Sequence, residues 1–181
     1  MTGPDEFVVL TVGHSTRPID EFIDLLKAND VTLVVDIRTI PRSRHNPQFN
    51  KDVLPISLAE AGIEYTHCAG LGGLRHTLSD SPNTGWRNAS FRGFADYMQS
   101  EEFQDQVEDL VALARHARAV LMCAEAVPWR CHRSLVSDAL LVRGVRVFDI
   151  MGKDNLREHA LTGFARIHGK KITYPPTVAP P

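Results

Sequence analysis

The sequence predicts an α/β fold: a single domain with a mainly parallel sheet of about five strands and helices on both faces. Two observations predict it. Short apolar runs of β-type residues alternate with segments whose apolar residues recur at helical spacing, the pattern of strand–helix–strand units. The residues that carry chemistry follow the apolar runs, whereas turn and cap residues such as Asn29, Asp30, Gly62 and Gly144 precede them. A parallel sheet, whose strand carboxyl ends share one edge, sorts residues in this way.

The first strand, Phe7 to Val12, is ended by Gly13. Ile19, Phe22, Ile23 and Leu26 then recur at helical spacing, so a helix spans Pro18 to Ala28 with its proline near the first turn. Leu33 to Val35, with Ile37, is a second strand whose continuous apolar character suits burial on both faces. Val53, Leu54 and Leu58 mark a helix over about Asp52 to Ala61, which Gly62 can cap. Ile63 to His67 is the third strand.

Cys68 to Ala89 is rich in Gly, Ser, Thr, Asn and Pro and reads as a long loop, a length that usually signals function or disorder. Ser90 is placed to cap a short helix carrying Phe91, Phe94, Ala95 and Met98. Ser100 is placed to cap the next, which carries Phe103, Val107, Leu110 and Ala114. Ala119 to Met122 is the fourth strand. An amphipathic helix covering Leu135 to Val142 ends before Gly144, and Val145 to Ile150 is the fifth strand. The α/β domain is expected over residues 1–151 and a polar extension over 152–181. In that extension a short helix is expected near Asn155 to Phe164, then a mobile Pro-rich end from Tyr174 to Pro181. The chain has no internal repeat.

The 181 residues are 43% hydrophobic and 23% charged, enough to bury a core without metal or disulfide staples. A net charge of −2 gives no global basic field to draw in nucleic acid. The charge is uneven, however. Residues 37–51 hold Arg38, Arg42, Arg44, His45 and Lys51 without an acid, while the acids sit largely on the expected helices. Cys68, Cys123 and Cys131 cannot all pair. Met1 to Phe7 is short and polar, and no apolar run reaches membrane-spanning length. The expectation is a cytoplasmic protein with reduced thiols and no membrane contact.

The densest chemistry lies between the fourth strand and the helix after it, where residues 123–133 read Cys-Ala-Glu-Ala-Val-Pro-Trp-Arg-Cys-His-Arg. Other strand ends add Gly13 and His14, then Asp36, Arg38 and Arg42, then Gly72, Gly73 and Arg75. These four segments are expected to line one concavity. Arg38, Arg42, Arg75, Arg130 and Arg133 offer planar donor forks suited to phosphate or carboxylate. Arg130 and Arg133 also flank a helix start, where free N–H groups and the dipole favour an anion. Gly72 and Gly73 would let backbone approach a ligand, and Trp129, in a charged loop, is placed to stack on a ring. Glu125, His132, His14 and Asp36 are candidate acids or bases.

The two cysteines of this loop leave three readings open. Cys131, at a helix start between Arg130 and Arg133, has the setting of a nucleophilic thiolate. Cys123, at the end of an apolar strand, reads as a buried and inert thiol. A metal site built on Cys123, Cys131 and His132 lacks standard zinc spacing and would need His14 or His67 as well. Strand, Cys-bearing loop, Arg and helix also resembles the layout of rhodanese-like and cysteine-phosphatase domains. The six residues between Cys123 and Arg130 depart from their spacing, and the loop is not Gly/Ser-rich.

Five ordered motifs make a further resemblance specific: Gly-His-Ser-Thr-Arg (13–17), Asp-Ile-Arg-Thr-Ile-Pro-Arg-Ser-Arg (36–44), Gly-Leu-Gly-Gly-Leu-Arg (70–75), Phe-Arg-Gly-Phe-Ala-Asp-Tyr-Met (91–98) and Cys-Ala-Glu-Ala-Val-Pro-Trp-Arg-Cys-His-Arg-Ser (123–134). Over about Val8 to Ile150 the chain resembles the bacterial "domain of unknown function 488" family. The resemblance implies a single α/β domain and supplies no substrate or catalytic assignment. From the residues, the expected ligand is an anionic small molecule or a nucleic-acid end, bound in a polar pocket and acted on by an enzyme. The alternatives are a non-catalytic nucleic-acid-binding module and a metal-dependent hydrolase using His14, Asp36 and Glu125. The sequence names no cofactor and no oligomeric state.

Overall fold

The computed structural model describes residues 7–177. Six strands form one sheet: β1 (Val8–Gly13), β2 (Leu33–Asp36), β3 (Glu64–His67), β4 (Ala119–Cys123), β5 (Arg146–Gly152) and β6 (Asn155–Glu158). Their order is β3-β2-β4-β1-β5-β6. The first five run parallel, and β6 is antiparallel on β5. The helices are α1 (Ile19–Ala28), α2 (Leu54–Glu60), α3 (Ala89–Tyr97), α4 (Glu101–Ala114) and α5 (Arg133–Leu141). A separate antiparallel pair, β7 (Arg166–His168) and β8 (Lys171–Thr173), follows. No described helix is long and apolar enough to cross a membrane.

Successive side chains of a strand point to opposite faces, and this chain is apolar on both. Leu10, Val12, Val34, Val120 and Met122 form one core with Phe22, Leu25 and Leu26 of α1 and Leu54 and Leu58 of α2. Val9, Val35, Leu121 and Val147 form the other, with Phe94 of α3, Phe103 and Val107 of α4, and Leu135 and Val136 of α5. The central strands are therefore buried on both sides, as their unbroken apolar runs require.

This layering fixes where a site can form. The chain leaves β1 for α1 on one face, and leaves the adjacent β4 for α5 on the other. Neighbouring strands that diverge in this way open a crevice at their carboxyl ends. The register sets the crevice level: Gly13 pairs with Cys123, and Asp36 pairs with both Met122 and His67.

Most elements begin and end where local chemistry dictates. Gly62 takes a φ of +76° just after α2, a left-handed conformation that side chains resist. Ser100 caps α4 by accepting the Phe103 N–H. Helix α3, by contrast, is capped by Asn88 rather than Ser90. The Asn88 side chain accepts the N–H groups of Ser90 and Phe91 from an extended backbone, the geometry a cap requires.

The helix expected near Asn155 to Phe164 does not form. A tight turn after Gly152 sends residues 155–158 back along β5 as strand β6. The free edge of β5 offers backbone partners that an isolated helix of that length would not find, and this outweighs the helical composition. The new edge is fully exposed and charged, and Arg146 Nε lies 2.8 Å from Glu158 Oε1, features that discourage further pairing. The end is also more anchored than its prolines suggest. Tyr174 is fully buried, with Ala165 and Ile172 beside it in the core. Tyr174 N–H donates to Asn83 Oδ1 at 2.8 Å, and Gly85 N–H donates to the Tyr174 carbonyl at 2.9 Å, so this segment ties down the long 68–88 loop. The polar start, Met1 to Glu6, and the end, Val178 to Pro181, lie outside the described residues.

Candidate functional site

A cavity of about 780 Å³ opens at the carboxyl edge of the sheet. Its wall takes His14, Ser15 and Thr16 after β1, and Arg38, Thr39, Ile40, Arg42, Ser43 and Asn46 after β2. Gly73, Leu74 and the start of α3 close a third side. Cys123 to Ala126 and Arg130 to His132, from the β4–α5 connection, form the fourth. Strand ends far apart in sequence thus meet in one concavity, as their placement after the strands predicts.

The backbone brings them there by crossing closely. His14 N–H donates to the Cys123 carbonyl at 2.9 Å, and Ser15 N–H to that of Ala124 at 3.0 Å, extending the β1–β4 ladder into the loops. A β-carbon at Gly13 would collide with the backbone of Glu125 and Ala126. Ser15 sits at φ +52°, an uncommon conformation for a residue with a side chain, and it lies in the cavity wall.

Asp36 and Arg38 form the buried frame of the β2 side. Arg38 Nη2 lies 2.7 Å from Asp36 Oδ2, and Arg38 Nε lies 2.9 Å from Asp36 Oδ1. Tyr65 donates its hydroxyl to Asp36 Oδ2 at 2.6 Å. Burial and that bond push the Tyr65 pKa well above the usual phenol value, so the phenol stays protonated. Arg38 also donates to the Phe49 carbonyl at 2.7 Å. Asp36, fully buried with both oxygens occupied, is therefore not a free base, and the carboxylate expected to act in chemistry instead orients Arg38.

His14 rests on Phe49 with ring centroids 4.2 Å apart. Its Nδ1 donates to the Ser15 carbonyl at 2.7 Å, which leaves Nε2 to accept from Arg38 Nη1 at 3.3 Å. Burial, helped by the Arg38 charge, lowers its pKa to about 4, so the imidazole is neutral. With both ring nitrogens and both Asp36 oxygens engaged, His14, Asp36 and Glu125 do not present the donor set that a metal-dependent hydrolase would use. Among the described residues no group of three His, Cys, Asp or Glu side chains is arranged to hold a metal ion.

The thiols differ most from expectation. Cys123 and Cys131 are both buried, with their sulfurs 2.8 Å apart. Arg133, 1% exposed, turns inward from the first turn of α5 and donates from Nη1 to Cys123 Sγ at 2.6 Å. It also donates to the Glu125 carbonyl at 2.8 Å and, through Nε, to Thr11 Oγ1 at 3.2 Å. Thr11 in turn donates to Asp149 Oδ1. Burial opposes a charged Cys123, but the bond from Cys131 and the Arg133 charge outweigh it and lower its pKa. The same bond to Cys123, with burial, raises that of Cys131. The guanidinium reaches past Cys131 to the end of β4, so the thiol it bonds is Cys123 rather than the expected Cys131.

The expected anion site at the start of α5 is correspondingly altered. Arg133 N–H points to Cys131 Sγ at 3.4 Å, and the Leu135 and Val136 N–H groups bond the His132 carbonyl. The helix start and Arg133 serve the thiol pair. His132 donates from Nε2 to the Ile37 carbonyl at 3.0 Å and leaves Nδ1 3.6 Å from Cys131 Sγ. Burial lowers its pKa to about 4, so the ring is neutral where it meets the Cys131 thiol.

Other expected ligand contacts lie elsewhere. The Arg75 guanidinium stacks 3.6 Å over the Tyr97 ring and donates to the carbonyls of Gly70 and Gly72, holding the 69–73 turn. Gly72 is small because Thr39 packs against it. Trp129 is 53% exposed, outside the main cavity, with Arg157 5.1 Å above its ring. Gly73, Glu125 and Arg130 line the cavity as expected, as does Arg42. Sequence reasoning missed Ser15, Ser43, Asn46 and Asn88 as wall residues. It also missed Thr11 and Asp149, whose signal was a polar residue buried within an apolar strand.

No curated protein and no solved structure matches the chain. The family described as Domain of unknown function DUF488 matches residues 18–140, a span that holds the Asp36–Arg38 frame and both thiols of the cavity. The chain belongs to the DUF488 family.

Proposed function

We propose that the cavity binds a phosphate-bearing ligand, a nucleotide or a nucleic-acid end, and that the protein is an enzyme acting on that ligand with Cys123. The observation that carries this reading is the state of Arg42 and Arg130. Both line the cavity, both are exposed, and among the described residues neither guanidinium has an ion-pair or hydrogen-bond partner. Arginines that merely tie loops together are engaged, as Arg75 and Arg133 are. Arg42 and Arg130 instead hold ten N–H donors over a space flanked by Ser15, Thr16 and Ser43, the donor types that take phosphate oxygens. A non-catalytic module would have no use for two thiols in the cavity wall, one bonded by a buried guanidinium and the other beside a neutral imidazole.

The test is a titration of isotope-labelled protein with inorganic phosphate and with a nucleoside triphosphate, followed by NMR. Chemical-shift changes at Ser15, Arg42, Ser43 and Arg130 are expected. They should weaken with added salt and vanish in an Arg42→Ala/Arg130→Ala variant. Absence of any change at these residues at millimolar ligand would end the phosphate reading.

A further inference from the structure

We propose that Cys123 and Cys131 are a working dithiol that reduces disulfides, Cys123 as the attacking thiol and Cys131 as the resolving one, with an anionic disulfide as the favoured substrate class. The preference for an anion rests on the reading of Arg42 and Arg130 above; the thiol chemistry stands on its own geometry.

Four atoms are aligned for it in sequence: His132 Nδ1, Cys131 Sγ, Cys123 Sγ and Arg133 Nη1, separated by 3.6, 2.8 and 2.6 Å. Two structural thiols need none of this. A buried guanidinium aimed at one sulfur stabilises its anion, and a neutral imidazole lies beside the other. Both cysteines belong to the cavity wall, so a substrate approaches them from the same side. A disulfide bond is ~2.05 Å long, so the two sulfurs lie within about 1 Å of bonding distance. Arg133 is in turn fixed through Thr11 to Asp149, which holds the guanidinium in place whether or not Cys123 is charged.

The chemistry balances without an outside oxidant. The Cys123 thiolate attacks one sulfur of the substrate disulfide, forming a mixed disulfide and releasing the other half as a thiolate. Cys131 then attacks Cys123 Sγ, and its proton passes to the departing second half. The substrate disulfide is reduced to two thiols, and the protein dithiol is oxidised to a Cys123–Cys131 disulfide. A further thiol reductant restores the starting state.

The experiment uses the full chain carrying Cys68→Ser, which removes the third thiol. The probes are the dianionic disulfide of thionitrobenzoate and the uncharged dithiodipyridine. Two thiols should be released per protein, with no adduct left and a mass lower by two hydrogens, the Cys123–Cys131 link appearing on peptide mapping. Cys131→Ser should release one and retain the adduct on Cys123, and Cys123→Ser should react at least about tenfold more slowly. A stable adduct on either cysteine of the parent protein, or a Cys123→Ser variant as fast as Cys131→Ser, would overturn the dithiol. Peptide mapping of the parent decides the matter even where a variant does not fold. Arg42→Ala/Arg130→Ala should slow the dianionic probe more than the uncharged one. Equal effects on both would overturn the anion preference while the dithiol stands.

Discussion

His132 packs directly on Gly73: a β-carbon at residue 73 would lie 2.7 Å from the ring Nδ1. The ring cannot retreat easily, because Nε2 is bonded to the Ile37 carbonyl and the ring also meets Phe94, with centroids 5.1 Å apart. Gly73→Ala should therefore push His132 off its place and cost ~1–3 kcal/mol, the usual range for overpacking. Urea denaturation measures the loss, and a change in the His132 ring proton shifts locates it. A variant as stable as the parent with an unmoved ring would contradict this packing.

The two neutral histidines predict a pH dependence. His14 and His132 have pKa values lowered from 6.5 to about 4 by burial. Between those values the unfolded chain binds protons that the folded protein does not, so stability rises with pH through this window. It is fully present above about 6.5 and lost as pH falls towards about 4. Each histidine contributes up to about 3 kcal/mol at 1.36 kcal/mol per unit. Urea midpoints measured from pH 7.5 down to 4 should fall steadily, and His132→Asn should flatten the curve. A flat parental profile would mean that the imidazoles protonate freely in the folded state.

Asp36 and Arg38 should behave as a coupled pair. Arg38→Met leaves a buried carboxylate short of its main donors and should cost ~3–5 kcal/mol. Combining it with Asp36→Asn removes the stranded charge, so the double variant should be less destabilised than the sum of the two, by on the order of 2 kcal/mol. A double-mutant cycle in urea reads this directly. Additive losses would show that the pair is held by its other contacts, Tyr65 and the Phe49 carbonyl.

Tyr174 anchors the end of the described chain through its hydroxyl, which donates to Asp138 Oδ2 at 2.8 Å. Tyr174→Phe should cost ~1.5–3 kcal/mol, the range for a bond to a charged group. Tyr174→Ala should do more, because the ring also packs 5.5 Å from Trp86. Loosening of the 83–85 segment should then shift Trp86 fluorescence to longer wavelength. Unchanged emission in Tyr174→Ala would mean that the loop is held without it.

The gathering of His14, Arg38, Gly73 and Cys123 was legible in the sequence because topology alone produces it. Parallel strands put every carboxyl end on one edge, and apolar runs mark the strands well. The direction of a long side chain was not legible. Arg133 lies three residues from Arg130, and nothing in the spacing tells that one turns to Cys123 and the other lines the cavity. Asp36 and Arg75 were misread for the same reason: their partners, Arg38 and the Tyr97 ring, are fixed by tertiary packing. The polar residues inside apolar strands were the unused clue, since Thr11 and Asp149 are exactly as out of place in sequence as Arg133 is in the core. Strand β6 escaped notice because its pairing depends on an empty sheet edge, a property of the folded sheet.

The burial of Tyr174 bears on how the protein comes to be made. This ring completes the packing around Trp86 and Asp138, yet it belongs to the last segment of the described chain to be synthesised. Strands β1 to β5 can pair while the polypeptide is still growing, but the 83–85 loop and the α5 side of the core cannot close until residue 174 has cleared the ribosome. Until then Trp86, Phe164 and the Asp138 carboxylate lack their neighbour, and the nascent domain exposes an aromatic surface to whatever is nearby. Closure of this side of the core is thus set by the arrival of one tyrosine.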